Sequence, residues 1–142
     1  SSAASDVYKR QDQDDIEKFK SFCTRGLIPD ELVHVLLVIG RYHETQQSDP
    51  AELEKLIPHV DPNWLWSVCA FGSEEGQCMK RAVVLGGHCR VGFENNLEVA
   101  DGRQASSNTE LVEATAQAIK ASGNIVADAE TARELFKISP RR

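Results

Sequence analysis

Apolar residues recur at spacings of three and four from Asp15 to Arg25, where Ile16, Phe19, Phe22 and Cys23 form one stripe and Gly26 follows as a stop. That pattern predicts an amphipathic helix. The run Val33-His34-Val35-Leu36-Leu37-Val38-Ile39-Gly40 is nearly unbroken in β-branched and aliphatic residues, as expected of a strand covered on both faces. Asp49-Pro50-Ala51-Glu52 reads as a helix start, with Asp49 as cap, Pro50 in the first turn and Glu52 completing a capping-box pattern. This second helix is expected to run to about His59. A second strand is predicted over Leu65 to Gly72, a third helix over Gln77 to Leu85 ending at Gly86-Gly87, and a third strand over His88 to Glu94. A turn-rich segment with Asp101-Gly102 leads to Ser107-Asn108-Thr109-Glu110, a capping box that opens a long helix ending at Gly123. Asp128 is placed to cap a short final helix.

Strands separated by helices imply crossover connections and a parallel sheet. Three buried strands would leave long apolar edges unpaired, and a complete (β/α)8 barrel needs at least about 200 residues, more than the 142 present. The reading is therefore α/β, the C-terminal part of a (β/α)8 TIM barrel with about three βα units and a terminal helix. An open flavodoxin-like sheet is the runner-up, but it too uses about five strands. Residues 1–11 (SSAASDVYKRQ) show no amphipathic period and are expected to be a non-native or disordered leader, leaving 12–142 as the barrel portion.

Composition narrows the function classes. There are 16 basic and 22 acidic residues, a net charge of −6, which argues against nucleic acid or an anionic membrane as partner. No apolar run approaches the roughly 20 residues of a membrane span. Cys23, Cys69, Cys78 and Cys89 form no C-x-x-C pair and lie in or beside apolar stretches, as buried free thiols do. A reducing, cytoplasm-like compartment is the matching expectation.

The third predicted strand carries the chemistry. With side chains alternating, His88, Arg90, Gly92 and Glu94 are expected on one face, and Cys89, Val91 and Phe93 on the face a helix layer covers. An imidazole, a guanidinium and a carboxylate in a buried strand need partners, a metal, a substrate or water, since unpaired burial costs several kcal/mol each. Glu94 falls at the C-terminal end of the strand, where barrel enzymes place their sites. Arg90 is expected about 13 Å lower on an extended strand, reaching upward past Gly92, which leaves room for a ligand or for the arginine. An ion-pair layer filling a barrel interior is the plainer alternative.

The string Gly86-Gly87-His88-Cys89-Arg90-Val91-Gly92-Phe93-Glu94-Asn95-Asn96 resembles the C-terminal signature of the β-keto acid cleavage enzymes, typified by activity on 3-keto-5-aminohexanoate. The resemblance continues through Asp101-Gly102, Ser107-Asn108-Thr109-Glu110-Leu111-Val112 and Ala129-Glu130-Thr131-Ala132-Arg133, and takes in Gly26-Leu27-Ile28, Ile39-Gly40 and Trp66-Ser67-Val68. It implies a zinc-dependent TIM-barrel enzyme that condenses a β-keto acid with acetyl-CoA, releasing acetoacetate and a new acyl-CoA. It implies Glu94 as a zinc (Zn2+) ligand beside two histidines of a His-x-His motif, which this sequence lacks. Zinc as a Lewis acid would polarise the keto group, and Arg90 would meet the substrate carboxylate or the enolate. Family members commonly carry aspartate after the metal glutamate; Asn95 stands here instead, and an amide is no general base at neutral pH. Asn95 and Gly92 are thus expected to line the substrate site, with Arg90 as the catalytic residue. A homo-oligomer when full length is a further expectation.

Weaker candidates surround these. His88, at the far end of its strand, and His34, inside an apolar strand, read as structural histidines. His43 and Glu44 follow the first predicted strand and can reach a CoA substrate or simply form an exposed loop. Trp64 and Trp66 read as packing residues, and Ser73-Glu74-Glu75-Gly76 can line the mouth of the site. Two other readings remain: a non-catalytic barrel homologue that retains the fold, with Asn95 as its trace, and a short chain that assembles with a partner half-barrel.

Overall fold

A computed structural model of the chain describes residues 7–28, 33–41, 44–99 and 101–137. Strand and helix alternate through most of it: β1 (Val7–Arg10), α1 (Gln13–Thr24), β2 (His34–Ile39), α2 (Pro50–Leu56), β3 (Leu65–Ala70), α3 (Glu75–Val84), β4 (His88–Arg90), α4 (Asn108–Ala121) and α5 (Ala129–Leu135). The strands form one sheet in the order β1-β2-β3-β4, every pair parallel. Neighbours in sequence are thus neighbours in the sheet, as crossover helices dictate.

The expected leader needs correction. Val7–Arg10 is a strand of the sheet, with Val7 opposite His34 and Arg10 opposite Leu37. Tyr8 packs its ring 4.7 Å from that of Phe19, and the Arg10 guanidinium lies 4.5 Å over the same ring. Four residues are too few for a period to show, and tertiary pairing decides the outcome. The first six residues lie outside the described part.

The two faces of the sheet differ. Val35, Leu37, Ile39, Trp66, Val68 and Ala70 join Ile16, Phe19, Leu53, Leu56, Cys78, Met79 and Ala82 in the main core beneath the helices. Burying a side chain such as Phe19 or Leu53 contributes about 1.5–3 kcal/mol. Trp66 approaches the backbone of Gly87 so closely that a Cβ there would stand 2.2 Å from the indole. On the opposite face Leu36, Val38 and Cys69 make a smaller cluster with Phe71, and His34 and Ser67 share a 2.7 Å hydrogen bond. Both tryptophans are buried in the core, as expected. The four cysteines form no disulfide with one another; Cys69 and Cys78 are buried, Cys23 and Cys89 half-buried.

Helix starts follow the sequence closely. Asp12, Asp49, Ser107 and Asp128 each accept a backbone N–H of the first turn, from Asp15, Ala51, Glu110 and Thr131 respectively. Before α4, the Glu110 carboxylate accepts from the Ser106 amide at 2.6 Å and pairs with Arg103; these bonds pull its pKa down to about 2. The expected second helix stops early, because Pro58 has no N–H to donate. Ile57–His59 tightens into a 3-10 turn instead. Just past α5, Phe136 stacks on His34 at 4.7 Å and meets the edge of His88 at 5.3 Å.

Candidate functional site

The C-terminal ends of β2 and β3 are tied by one hydroxyl. Ser48 donates its Oγ–H to the Ile39 carbonyl at 2.8 Å, and the same Oγ accepts the Phe71 amide at 2.7 Å. Gly40 has φ +80°, and a Cβ on it would lie 2.3 Å from that oxygen, so glycine lets the loop return across the strand ends. Gln47 follows: its Oε1 accepts from the Ser73 amide at 3.2 Å and the Ser73 hydroxyl at 3.3 Å. Beside it Gln46 holds a left-handed backbone at φ 48°, a conformation costly for a non-glycine residue.

The third predicted strand is shorter than expected. β4 ends at Arg90, and the chain turns at Gly92, whose carbonyl accepts the amides of Asn95 and Asn96 at 3.0 and 3.2 Å. The expectation that His88, Arg90, Gly92 and Glu94 share one extended face is therefore corrected beyond Arg90. The turn folds Glu94 back, so Arg90 Nη2 donates to Glu94 Oε2 at 2.7 Å rather than standing 13 Å below it. The space beside Gly92 is taken by Asn108 Oδ1, which accepts the Phe93 amide at 2.7 Å and would sit 3.3 Å from a Cβ on Gly92. The Asn95 carbonyl accepts the Gly72 amide at 3.0 Å, joining the turn to the end of β3. The Arg90 and Glu94 side chains are 42% and 74% exposed, so the pair contributes little to stability and both groups are accessible. Arg90 lies opposite Cys69, whose thiol is pushed up by burial against the opposing pull of the guanidinium.

Sequence reasoning placed Glu75 only within a segment that can line the mouth. It is the first residue of α3 and just 2% exposed. Its Oε1 accepts from Asn96 Nδ2 at 3.2 Å, while Oε2 has no well-aligned hydrogen-bond partner. Burial pushes its pKa up to about 7, with Asn96 and the nearby Gly92 N–H holding it down. Asn96, also buried, donates to the Glu98 carbonyl at 2.6 Å and accepts the Glu98 amide at 2.9 Å. The sequence signal was a second glutamate at the helix start, indistinguishable by type from the exposed Glu74 beside it.

A cleft of about 390 Å³ opens over these strand ends, lined by Thr45, Gln46, Gln47 and Phe71 on one side and Glu94 and Asn95 on the other. Neither Arg90 nor Gly92 lines the cleft: Arg90 meets Glu94, which does, and Gly92 shapes the turn. His43 lies outside the described residues, and Glu44 is exposed. His34 is satisfied by Ser67, as expected of a core histidine. His88 is half-buried against Phe136, and burial lowers the pKa of both imidazoles, His34 also feeling His88. Among the described residues, no three His, Cys, Asp or Glu side chains converge on a point that could hold a metal ion. Glu94 offers one carboxylate, already engaged by Arg90. These donors do not complete the four-ligand shell of zinc. No helix among the described residues is long and apolar enough to cross a membrane.

Comparison with known proteins gives a consistent direction. A family model described as beta-keto acid cleavage enzyme matches residues 7–138, with β1 inside the match. The chain is 32% identical over 106 residues to a 3-keto-5-aminohexanoate cleavage enzyme of Fusobacterium nucleatum subsp. nucleatum, covering 75% of this chain and 38% of that protein. It is 38% identical over 90 residues to the protein of the same name from Acetoanaerobium sticklandii, covering 63% and 33%. A 3-dehydrocarnitine:acetyl-CoA trimethylamine transferase of Rhizobium meliloti is 31% identical over 86 residues, covering 61% and 28%. The chain spans about a third of the length of these curated relatives.

Proposed function

This chain belongs to the beta-keto acid cleavage enzyme family, matched over residues 7–138, and we propose that it forms the C-terminal part of a (β/α)8 barrel enzyme acting on a β-keto acid and acetyl-CoA. The reaction condenses the two and releases acetoacetate and a new acyl-CoA. The observation that carries the reading is the accessible Arg90–Glu94 pair, joined at 2.7 Å beyond the C-terminal end of a parallel sheet. Barrel enzymes gather their chemistry at that end. The names of two relatives, a 3-keto-5-aminohexanoate cleavage enzyme and a 3-dehydrocarnitine:acetyl-CoA trimethylamine transferase, support the substrate class.

In this reading Arg90 presents a fixed positive charge to the substrate carboxylate or to the enolate that forms as the carbon–carbon bond breaks. Substrate arriving at the cleft exchanges with Glu94 for the guanidinium, which costs little because the pair is solvated. Gly92 sets the turn, and Asn95 lines the cleft as a hydrogen-bonding amide rather than as a base. The resemblance to the family's signature implies metal dependence. Zinc, with Glu94 as one ligand, is the metal we propose, its remaining donors lying beyond the described side chains. A homo-oligomeric assembly and a cytoplasmic location belong to the same proposal.

The test is acetyl-CoA-dependent release of acetoacetate by the full-length protein over a panel of β-keto acids. Arg90→Ala should lower kcat by roughly a hundredfold to a thousandfold, the cost of losing one preorganised charge at a developing anion. Turnover unchanged by that substitution would remove Arg90 from the chemistry. Metal retained without any turnover would favour a non-catalytic homologue, with Asn95 in place of a carboxylate as the reason.

A further inference from the structure

Glu75 stands apart from every other carboxylate described: it is buried to 2% exposure, yet no cation contacts it. A buried carboxyl without a cation costs several kcal/mol if ionised. The helix start does not require it, because Glu74 stands exposed at the same terminus and already complements the helix dipole. A leucine or methionine would fill the same volume at lower cost. What Glu75 does reach is the underside of the turn beyond β4. It holds Asn96 through Oε1, and the Gly92 N–H lies close enough to lower its pKa. Asn96 in turn fixes Glu98 through both atoms of its amide, and its own N–H closes on the Gly92 carbonyl. Glu94 and Asn95 lie between Gly92 and Asn96.

We propose that Glu75 is a positioning residue, forming with Asn96 a buried strut beneath the Gly92–Asn96 turn that sets where Glu94 and Asn95 stand over the cleft. Its catalytic consequence rests on the enzymatic reading above; its mechanical part does not. The other ties on the turn, Gly72 N–H to the Asn95 carbonyl and Phe93 N–H to Asn108, act on its rim. Among the described residues, the strut supports it from the core side. Misplacement of a reacting group by about 1 Å costs on the order of a hundredfold in rate, so a turn free to rock would spoil the Arg90–Glu94 geometry without unfolding anything.

The experiment uses the full-length protein and two variants, Glu75→Leu and Glu75→Gln, with three readouts: amide hydrogen exchange, denaturant stability, and kcat against KM. Glu75→Leu removes the contact with Asn96 and the buried carboxyl. It should speed exchange at residues 92–96 by about tenfold or more, leave β2 protected and global stability equal or higher, and lower kcat by about tenfold or more. Glu75→Gln keeps the acceptor for Asn96 and should fall between Leu and wild type, which decides the matter should the leucine variant not fold. Exchange at 92–96 unchanged in both variants overturns the strut. Local loosening with kcat intact overturns its positioning role in catalysis, as does a kcat loss that merely tracks global destabilisation. A wild-type protein without cleavage activity would sink the enzymatic reading instead, while the exchange measurement would still decide the strut.

Discussion

Glu75 keeps its proton further up the pH scale than a solvent-exposed glutamate, because burial pushes its pKa to about 7. The folded protein then binds that proton more tightly than the unfolded chain. The resulting stabilisation is full below the ordinary carboxylate range and is lost as pH rises through about 7. A shift of this size corresponds to a few kcal/mol, on the order of 1.4 for each pH unit of separation. Wild type should therefore lose ground to Glu75→Gln as pH is raised from about 5 to about 8, measured as the difference in urea midpoints at each pH. Parallel curves for the two proteins would show that Glu75 titrates as an ordinary surface acid. His34 and His88 run the other way, since burial lowers their pKa values, and comparison at equal pH cancels their contribution.

The contact of Phe136 with both imidazoles makes α5 an element whose docking depends on their charge. An imidazole kept neutral by burial stabilises the docked state above its ordinary pKa, and that stabilisation is lost as pH falls through the depressed folded value. Acidification from about pH 7 to about pH 5 should therefore loosen α5. Phe136→Ala should do the same at neutral pH, at a cost of about 1–3 kcal/mol for a half-buried aromatic. Limited proteolysis between Gly123 and Asp128 reports both, and resistance unchanged in the variant would show that α5 docks by other contacts. This pairing was illegible in the sequence, where Phe136 lies 102 positions from His34 and no local pattern links them. Elements with strong local signals were legible: the caps at Asp49, Ser107 and Asp128, the apolar run of β2, and the alternation that implied a parallel sheet. β1 was missed because four residues carry no period. β4 was overextended because Val91, Gly92 and Phe93 alternate acceptably while hydrogen bonds from Asn95 and Asn96 pull the backbone into a turn. Arg90, Glu94 and Asn95 were singled out by type, position and resemblance, and Glu94 and Asn95 line the cleft, whereas the burial of Glu75 and Asn96 is revealed only by the packed structure.

Taken whole, the described residues form an open sheet whose outer strands, β1 and β4, each pair on one side only. Unpaired parallel edges invite further strands, and Leu27, Val84 and Ile125 add exposed apolar surface. The 142-residue chain expressed by itself should therefore self-associate increasingly with concentration, as light scattering would register. A concentration-independent monomer would mean that the edges are protected by the chain's own remaining residues. The strand order has one more consequence, for how such a molecule is made. Since β2 pairs with β1, β3 with β2 and β4 with β3, each strand after β1 meets, as it leaves the ribosome, a partner already synthesised. The sheet can grow at the pace of translation, N-terminal strands first, with β2, β3 and β4 each pairing as it emerges.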